Sequence, residues 1–286
     1  MKYKKWNLAA PDRAAVSALA GAGLPVLAAL VLCARGLSEP GAARAFLSDG
    51  DAPLHDPFLM RDMDRAAARL ERAIAQQEHI AVYGDYDVDG ITSTCLLTQF
   101  LRERGARVVP YIPDRLEEGY GLNREAVDAL HAQGVSLIVT VDCGITALEE
   151  TAYAMGLGVD VIITDHHECK EALPPAAAVV DPHRSDCFYP FSCLAGVGVA
   201  LKLALALTPE EEREAVFAAY ADLAAVGTVA DVMPLTGENR TIVRRGLALL
   251  AQAPRPGLRA LLWESGSGEK PLTSTCVGFT LAPRIN

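Results

Sequence analysis

The residues best suited to chemistry are three aspartates, Asp85, Asp87 and Asp89, spaced by two in the run Gly84-Asp85-Tyr86-Asp87-Val88-Asp89-Gly90. Carboxylates held about 4 Å apart in a surface-like dielectric repel by about 4 kcal/mol per pair. A multivalent cation offsets such crowding, so the run reads as one wall of a divalent-metal site. Asp165-His166-His167 adds an acid and two imidazoles. Adjacent histidines point in different directions, which suits one ring on metal and one facing substrate, with Asp165 orienting a ring as hydrogen-bond acceptor. Asp142 alone would read as a helix cap; in this company it reads as a bridging ligand. Cys143 beside it reads as a small buried residue rather than a thiolate ligand, and Asp231 stays open between a helix-terminal acid and a ligand. Together Asp85, Asp87, Asp89, Asp142, His166 and Asp231 form an oxygen-rich, imidazole-poor set. Such a set suits Mn2+ or Mg2+, as two ions, better than Zn2+ or copper. The chemistry that fits a two-ion site of this kind is phosphoester hydrolysis.

Something must position these groups, and the hydrophobic pattern supplies it. Apolar runs at Ile80–Tyr83, Leu137–Val141, Val161–Thr164 and Ala177–Val180 read as buried strands. Each is trailed by an aspartate: Asp85, Asp142, Asp165 and Asp181. A fifth strand is expected at Arg107–Ile112, and helices at 91–104, 123–133, 146–156 and 194–207. The alternation predicts an α/β fold, a mostly parallel sheet with helices on both faces, preceded by a helical N-terminal extension. Ligands of such sheets gather beyond the carboxyl ends of the strands, where the acids lie. Helices are also expected within 61–77, 210–232 and 239–252. The domain reading is an extension over 1–77, a catalytic domain over 78–235, and over 236–286 the start of a helical linker. The ending at Pro283-Arg284-Ile285-Asn286 reads as a cut through a longer protein.

Composition narrows the class. Hydrophobic residues make up 51% and charged residues 22%, which supports a packed core rather than disorder. A net charge of −10 argues against a generally basic, DNA-coating surface and leaves anionic substrate to be met through metals. Seven cysteines without a Cys-x-x-Cys pair fit a reducing compartment better than a disulfide framework or a zinc ribbon. The uncharged run 14–34 approaches the about 20 residues of a membrane span. It is alanine-rich and broken by Gly21, Gly23 and Pro25, so two short helices, no membrane span and a cytoplasmic location are expected.

Two local alternatives weaken on inspection. A calcium loop starting at Asp85 needs an acid at its twelfth position, which is Leu96, and a helix before it, where a strand is expected. Asp87-Val88-Asp89-Gly90 also resembles the nucleophile loop of haloacid-dehalogenase-type phosphatases, but that reading leaves the histidines unexplained.

Gly84 to Gly90, Val141-Asp142-Cys143-Gly144, Asp165-His166-His167 and Ala230-Asp231 together resemble the ordered motifs of the DHH phosphoesterase superfamily. Within it the chain is similar to single-strand-specific 5′→3′ DNA exonucleases. The supporting stretches are Lys5-Trp6, Asp56 to Met60, Tyr111 to Arg115, Glu118-Gly119-Tyr120-Gly121-Leu122, Leu194 to Ala200 and Ala282 to Asn286. The resemblance implies a two-metal nuclease using Mn2+ or Mg2+ in DNA repair and recombination. Asp87 and Asp89 would hold one ion each, Asp142 would bridge them, and His166 and Asp231 would complete the shells. Asp85 would ligate a metal or support a ligand. His167 would contact the scissile phosphate, Arg115 and Arg284 the DNA backbone, and Gly196 and Gly198 a phosphate at a helix N-terminus. Single-stranded DNA is the implied substrate, with a single-strand-binding protein and a helicase as implied partners.

Two departures matter. Many superfamily members carry a histidine where this chain has Tyr83, so one metal would rely on Asp85 or water. The family's glycine-rich, histidine-containing substrate domain and oligonucleotide-binding barrel do not occur in these residues, so the chain is expected to bind metals but grip DNA poorly. Two competing readings are a phosphodiesterase for short oligonucleotides or cyclic dinucleotides, and a non-catalytic scaffold. Retention of the metal acids argues against the scaffold.

Overall fold

A computed structural model describes residues 7–48, 52–115, 118–119, 121–252, 255–268 and 271–286. Lys5, Trp6 and Tyr120 lie outside them. The chain divides into two compact units, 1–52 and 53–286. In the first, Asp12 caps α1 (Arg13–Gly21) by accepting from the Ala14 N–H, and α2 (Val26–Ala34) and α3 (Pro40–Leu47) follow. Leu19, Ala29, Leu32, Cys33 and Ala43 are its buried core. The uncharged run thus breaks into two short helices around Gly23, which has φ +94°. No helix among the described residues is long and apolar enough to cross a membrane.

The second unit is built on five parallel strands: β1 (His79–Gly84), β2 (Arg107–Tyr111), β3 (Leu137–Val141), β4 (Asp160–Thr164) and β5 (Ala178–Val180). Their order is β2-β1-β3-β4-β5, with Gly84 beside Val141 and Val141 beside Thr164. Strand alternation sends Ile80 and Val82 of β1 into one core and Ala81 and Tyr83 into the other. The first core is closed by α4 (Met63–Ala75), α5 (Val88–Glu103), α8 (Gly196–Ala206), α9 (Arg213–Ala230) and α10 (Gly237–Leu250), the second by α6 (Arg124–Ala132) and α7 (Leu148–Gly156). A final helix α11 (Pro256–Glu264) precedes a π-helical turn at Val277–Leu281 and a last turn at Ala282–Ile285.

Chain order reverses between β1 and β3, because β1 leads outward to β2 while β3 lies on its other side. A crevice forms beyond the strand ends at such a reversal. Helix α4, grouped with the extension in the sequence reading, packs under β5 and α8 within the second unit. Its Arg69 is buried and donates to Glu78 at 2.7 Å and to Asp160 at 2.7 Å, tying the helix to the amino ends of β1 and β4. The expected start of α5 needs correction: the helix begins at Val88, so Asp89 and Gly90 are in its first turn. Asp87 makes this possible by accepting the Gly90 N–H at 3.0 Å.

Candidate metal centre

Strand ends deliver most of the acids, and two helices supply the rest. β1 stops at Gly84, where a side chain would strike Thr94 Oγ1 of α5 at 1.9 Å, so the helix can pass close over the strand. Asp85 and Asp87 lie in the connecting turn, and Asp89 lies on α5, only 1% exposed. Asp142 follows β3 in the left-handed region, at φ +60°. Aspartate is among the few residue types that visit this region, and the Asp142 N–H donates to Thr164 O at 3.1 Å, extending the β3–β4 ladder. Asp165 and His166 follow β4, and Asp231 ends α9. The next residue, Val232, has φ +59°, an uncommon conformation for a β-branched residue.

These residues converge. His166 Nε2 is 3.0 Å from Asp142 Oδ1, 3.7 Å from Asp231 Oδ2 and 3.8 Å from Asp89 Oδ2. Three groups place their ligand atoms within 4.8 Å of one another: Asp89, His166 and Asp231; Asp85, Asp87 and Asp142; and Asp142, His166 and His167. Asp142 and His166 are thus each shared between groups. Burial, and then the charge of neighbouring acids, pushes the Asp89 and Asp142 carboxyls well above the usual range. Burial also raises Asp85 and Asp231. Among the described residues Asp85 Oδ1, which is buried, has no hydrogen-bond partner, a cost of about 1–3 kcal/mol unless a cation meets it. Oxygen donors around one or two imidazoles are a fitting shell for Mn2+ or Mg2+.

The supporting contacts are specific. Asp165, 1% exposed, accepts from the N–H groups of His166 (2.7 Å) and His167 (3.2 Å), from His167 Nδ1 (2.7 Å), and from the Ile145 N–H (2.9 Å). Burial alone would raise this carboxyl, but the His167 hydrogen bond, its charge and the backbone donors hold it below the usual range. The same hydrogen bond raises His167 to about 9. Cys143 is 1% exposed and its Sγ lies 3.9 Å from Tyr83 O, which fits the small-residue reading.

The four other positions expected to meet substrate differ in their surroundings. Arg115 stacks over the Tyr86 ring at 4.9 Å, beside the Asp85–Asp87 turn. Arg284 is exposed and donates to Thr280 O at 2.6 Å, on its own turn. Gly196 and Gly198 are buried, and the Gly196 N–H donates to Asp89 Oδ2 at 2.7 Å, so the start of α8 faces a carboxylate rather than substrate. Tyr83, the position of the departure, is fully buried on the other side of the sheet. Its hydroxyl donates to Gly121 O at 2.8 Å and its ring stacks on Tyr111 at 5.2 Å, so it is committed to the second core.

Sequence reasoning missed several neighbours. Val197 N–H donates to Asp89 Oδ1 at 2.9 Å, and His183 Nδ1 lies 2.7 Å from His166 O. Asp181 is fully buried, its Oδ2 has no hydrogen-bond partner among the described residues, and burial pushes it up to about 7. Its place after the last strand was the one available signal. A cavity of about 220 Å3 lies between Asp87, Asp89 and Asp231 on one side and Gly278, Ala282, Pro283 and Asn286 on the other.

Comparison with known proteins bears directly on this crevice. Residues 79–228 match the family described as DHH family, N-terminal domain. The chain is similar to the single-stranded-DNA-specific exonuclease RecJ of Bacillus subtilis (strain 168), at 46% identity over 283 residues, covering 99% of this chain and 35% of that protein. It is also similar to the structure of RecJ from Thermus thermophilus in complex with Mn2+, with TM-score 0.76, 37% identity, and coverage of 97% of this chain and 39% of that one. For the Mg2+ complex from the same organism the TM-score is 0.67 at 34% identity, covering 98% and 36%. The chain therefore spans little more than a third of the length of these relatives. Since the matched segment takes in more than half of the chain and carries the strand ends that supply Asp85 through His167, the chain belongs to the DHH family.

Proposed function

We propose that this chain forms the catalytic part of a two-metal phosphodiesterase that removes nucleotides from single-stranded DNA, 5′→3′, in repair and recombination. The observation that carries the reading is the sharing of Asp142 and His166 between overlapping ligand groups at the strand-order reversal. Asp89, His166, Asp231 and Asp142 would hold one ion, and Asp85, Asp87 and Asp142 the other. Mn2+ or Mg2+ bound there would supply Lewis-acid polarisation of a phosphoryl oxygen and a hydroxide at neutral pH.

The remaining work falls to the chain's own side chains. Asp165 fixes the His167 ring through Nδ1, leaving the other ring nitrogen to donate to a phosphate oxygen. Arg115 is proposed to contact the DNA backbone from its place on Tyr86, since a guanidinium fork suits phosphate. Arg284 is proposed to do so from the facing wall, once released from Thr280 O. The similarity to RecJ supports the choice of single-stranded DNA over short or cyclic oligonucleotides. Partnership with a single-strand-binding protein and a helicase, and a cytoplasmic location, belong to the same proposal. So do a catalytic domain over 78–235, to which α4 is joined by its packing, and a helical linker over 236–286. The test is digestion of 5′-labelled and 3′-labelled single-stranded DNA, with a dinucleotide for comparison, by the full-length protein with Mn2+. Release from the 5′ end, lost in Asp142→Ala, is expected. Preference for the dinucleotide, or an active Asp142→Ala, would overturn it.

A further inference from the structure

Three helices meet at Asp89, and two of them do so through glycines. The N–H groups of Gly196 and Val197, the first two residues of α8, donate to the two oxygens of the Asp89 carboxylate at 2.7 and 2.9 Å. Helix N-termini leave such donors without partners inside the helix and favour negative charge there. A β-carbon at Gly196 would lie 2.5 Å from both Cβ and Oδ1 of Asp142. One at Gly227, on the inner face of α9, would lie 2.7 Å from Asp89 Oδ1, 2.4 Å from Thr92 Oγ1 and 2.8 Å from Val197 Cγ1. Thr92 has little room to yield, because its hydroxyl bonds to Val88 O and Asp89 O. A side chain at each position would therefore press on a different acid, and glycine leaves each acid its place.

We infer that α8 and α9 are positioning elements for the metal acids, Gly196 setting the place of Asp142 and Gly227, with the two α8 N–H groups, that of Asp89. The inference rests on the two-ion reading above and adds an asymmetry to it. Among the described residues, Asp142 belongs to the group with Asp85 and Asp87 and to a group with His166, whereas Asp89 belongs only to the group with His166 and Asp231. Moving Asp142 disturbs both ions; moving Asp89 disturbs one.

Mn2+ titration of the chain by calorimetry, with electron paramagnetic resonance to count bound ions, separates these effects. The parent protein is expected to bind two ions. In Gly196→Ala both are expected to weaken, by about 10- to 100-fold as for lost supporting contacts at other metal sites. In Gly227→Ala one weakens by that factor and the other keeps its parental affinity. Variants that fold by circular dichroism and bind both ions as the parent does would overturn the inference, even with a lowered unfolding temperature. A parent that binds no ion would instead overturn the two-ion reading beneath it. If neither glycine variant folds, Asp89→Ala decides: the Gly196 and Val197 amides should exchange hydrogen about tenfold faster or more without their acceptor. Unchanged exchange at both amides would overturn the role given to α8.

Discussion

Asp165 shows how much one side chain is asked to hold. One oxygen serves both histidine N–H groups and His167 Nδ1, and the other serves Ile145. Asp165→Asn keeps the volume but removes the charge and turns one acceptor into a donor facing N–H groups. The expected cost is about 2–3 kcal/mol, read by urea denaturation, together with loss of the His167 orientation seen in its ring 15N shifts. Val232 offers an opposite case. It is 85% exposed and holds φ +59° directly after Asp231. The left-handed conformation costs about 1–2 kcal/mol, against an entropic cost of glycine of about 0.5–1 kcal/mol. Val232→Gly should therefore stabilise by about 0.5–1 kcal/mol, and a lowered unfolding temperature would show that the turn is not strained. Asp85, Asp142 and Asp165 were legible in the sequence because each follows an apolar run, whereas Asp231 read equally well as an ordinary helix-terminal acid. What they lean on was not: the Asp89–Gly196 bond joins residues 107 apart, and no local pattern announces it.

Among the elements, α4 and α8 are bolted down by buried charge. Lys202 of α8, fully buried, donates to Glu238 Oε1 at 2.5 Å and to His55 O at 2.7 Å, and Glu238 also accepts from the Tyr189 hydroxyl at 2.7 Å. Lys202→Met strands Glu238 in the core, so a loss of about 3–5 kcal/mol is expected. Lys202→Met with Glu238→Gln should recover part of it, and additive losses in denaturant titrations would contradict the pairing. On α4, the hydrogen bond from Arg69, then its charge, holds the Glu78 carboxyl below 4.5 against the effect of burial. A depressed acid contributes stability that is complete above its unfolded value and fades as pH falls through the folded one. The gap between parent and Arg69→Met should thus be largest near neutral pH and close below pH 4.5; a gap constant down to pH 3 would sink this account. The strands were legible from their apolar runs. The start of α5 was not, because Gly90 reads as a turn until the Asp87 cap is seen to hold it in the helix.

For the whole molecule, the decisive facts are a net charge of −10 and a crevice where buried acids gather at the reversal of strand order. A polyanion meets such a surface only through cations. Fluorescence anisotropy of the full-length protein should show single-stranded DNA held more tightly with Mn2+ than after chelation; binding unchanged by chelation would mean a basic track elsewhere carries it. The position of Tyr83 illustrates the limit of reading a site along the chain. Its neighbours in sequence point to the acids, yet strand alternation sends its ring to the second core, where it bonds Gly121. The central claim is that Asp142 stands between two ions. Anomalous diffraction at the manganese edge, on crystals grown with Mn2+, tests it most directly. Two peaks are expected, one among Asp89, His166 and Asp231 and one between Asp85 and Asp87, with Asp142 touching both. A single peak that Asp142 does not touch, or none among these acids, would contradict it.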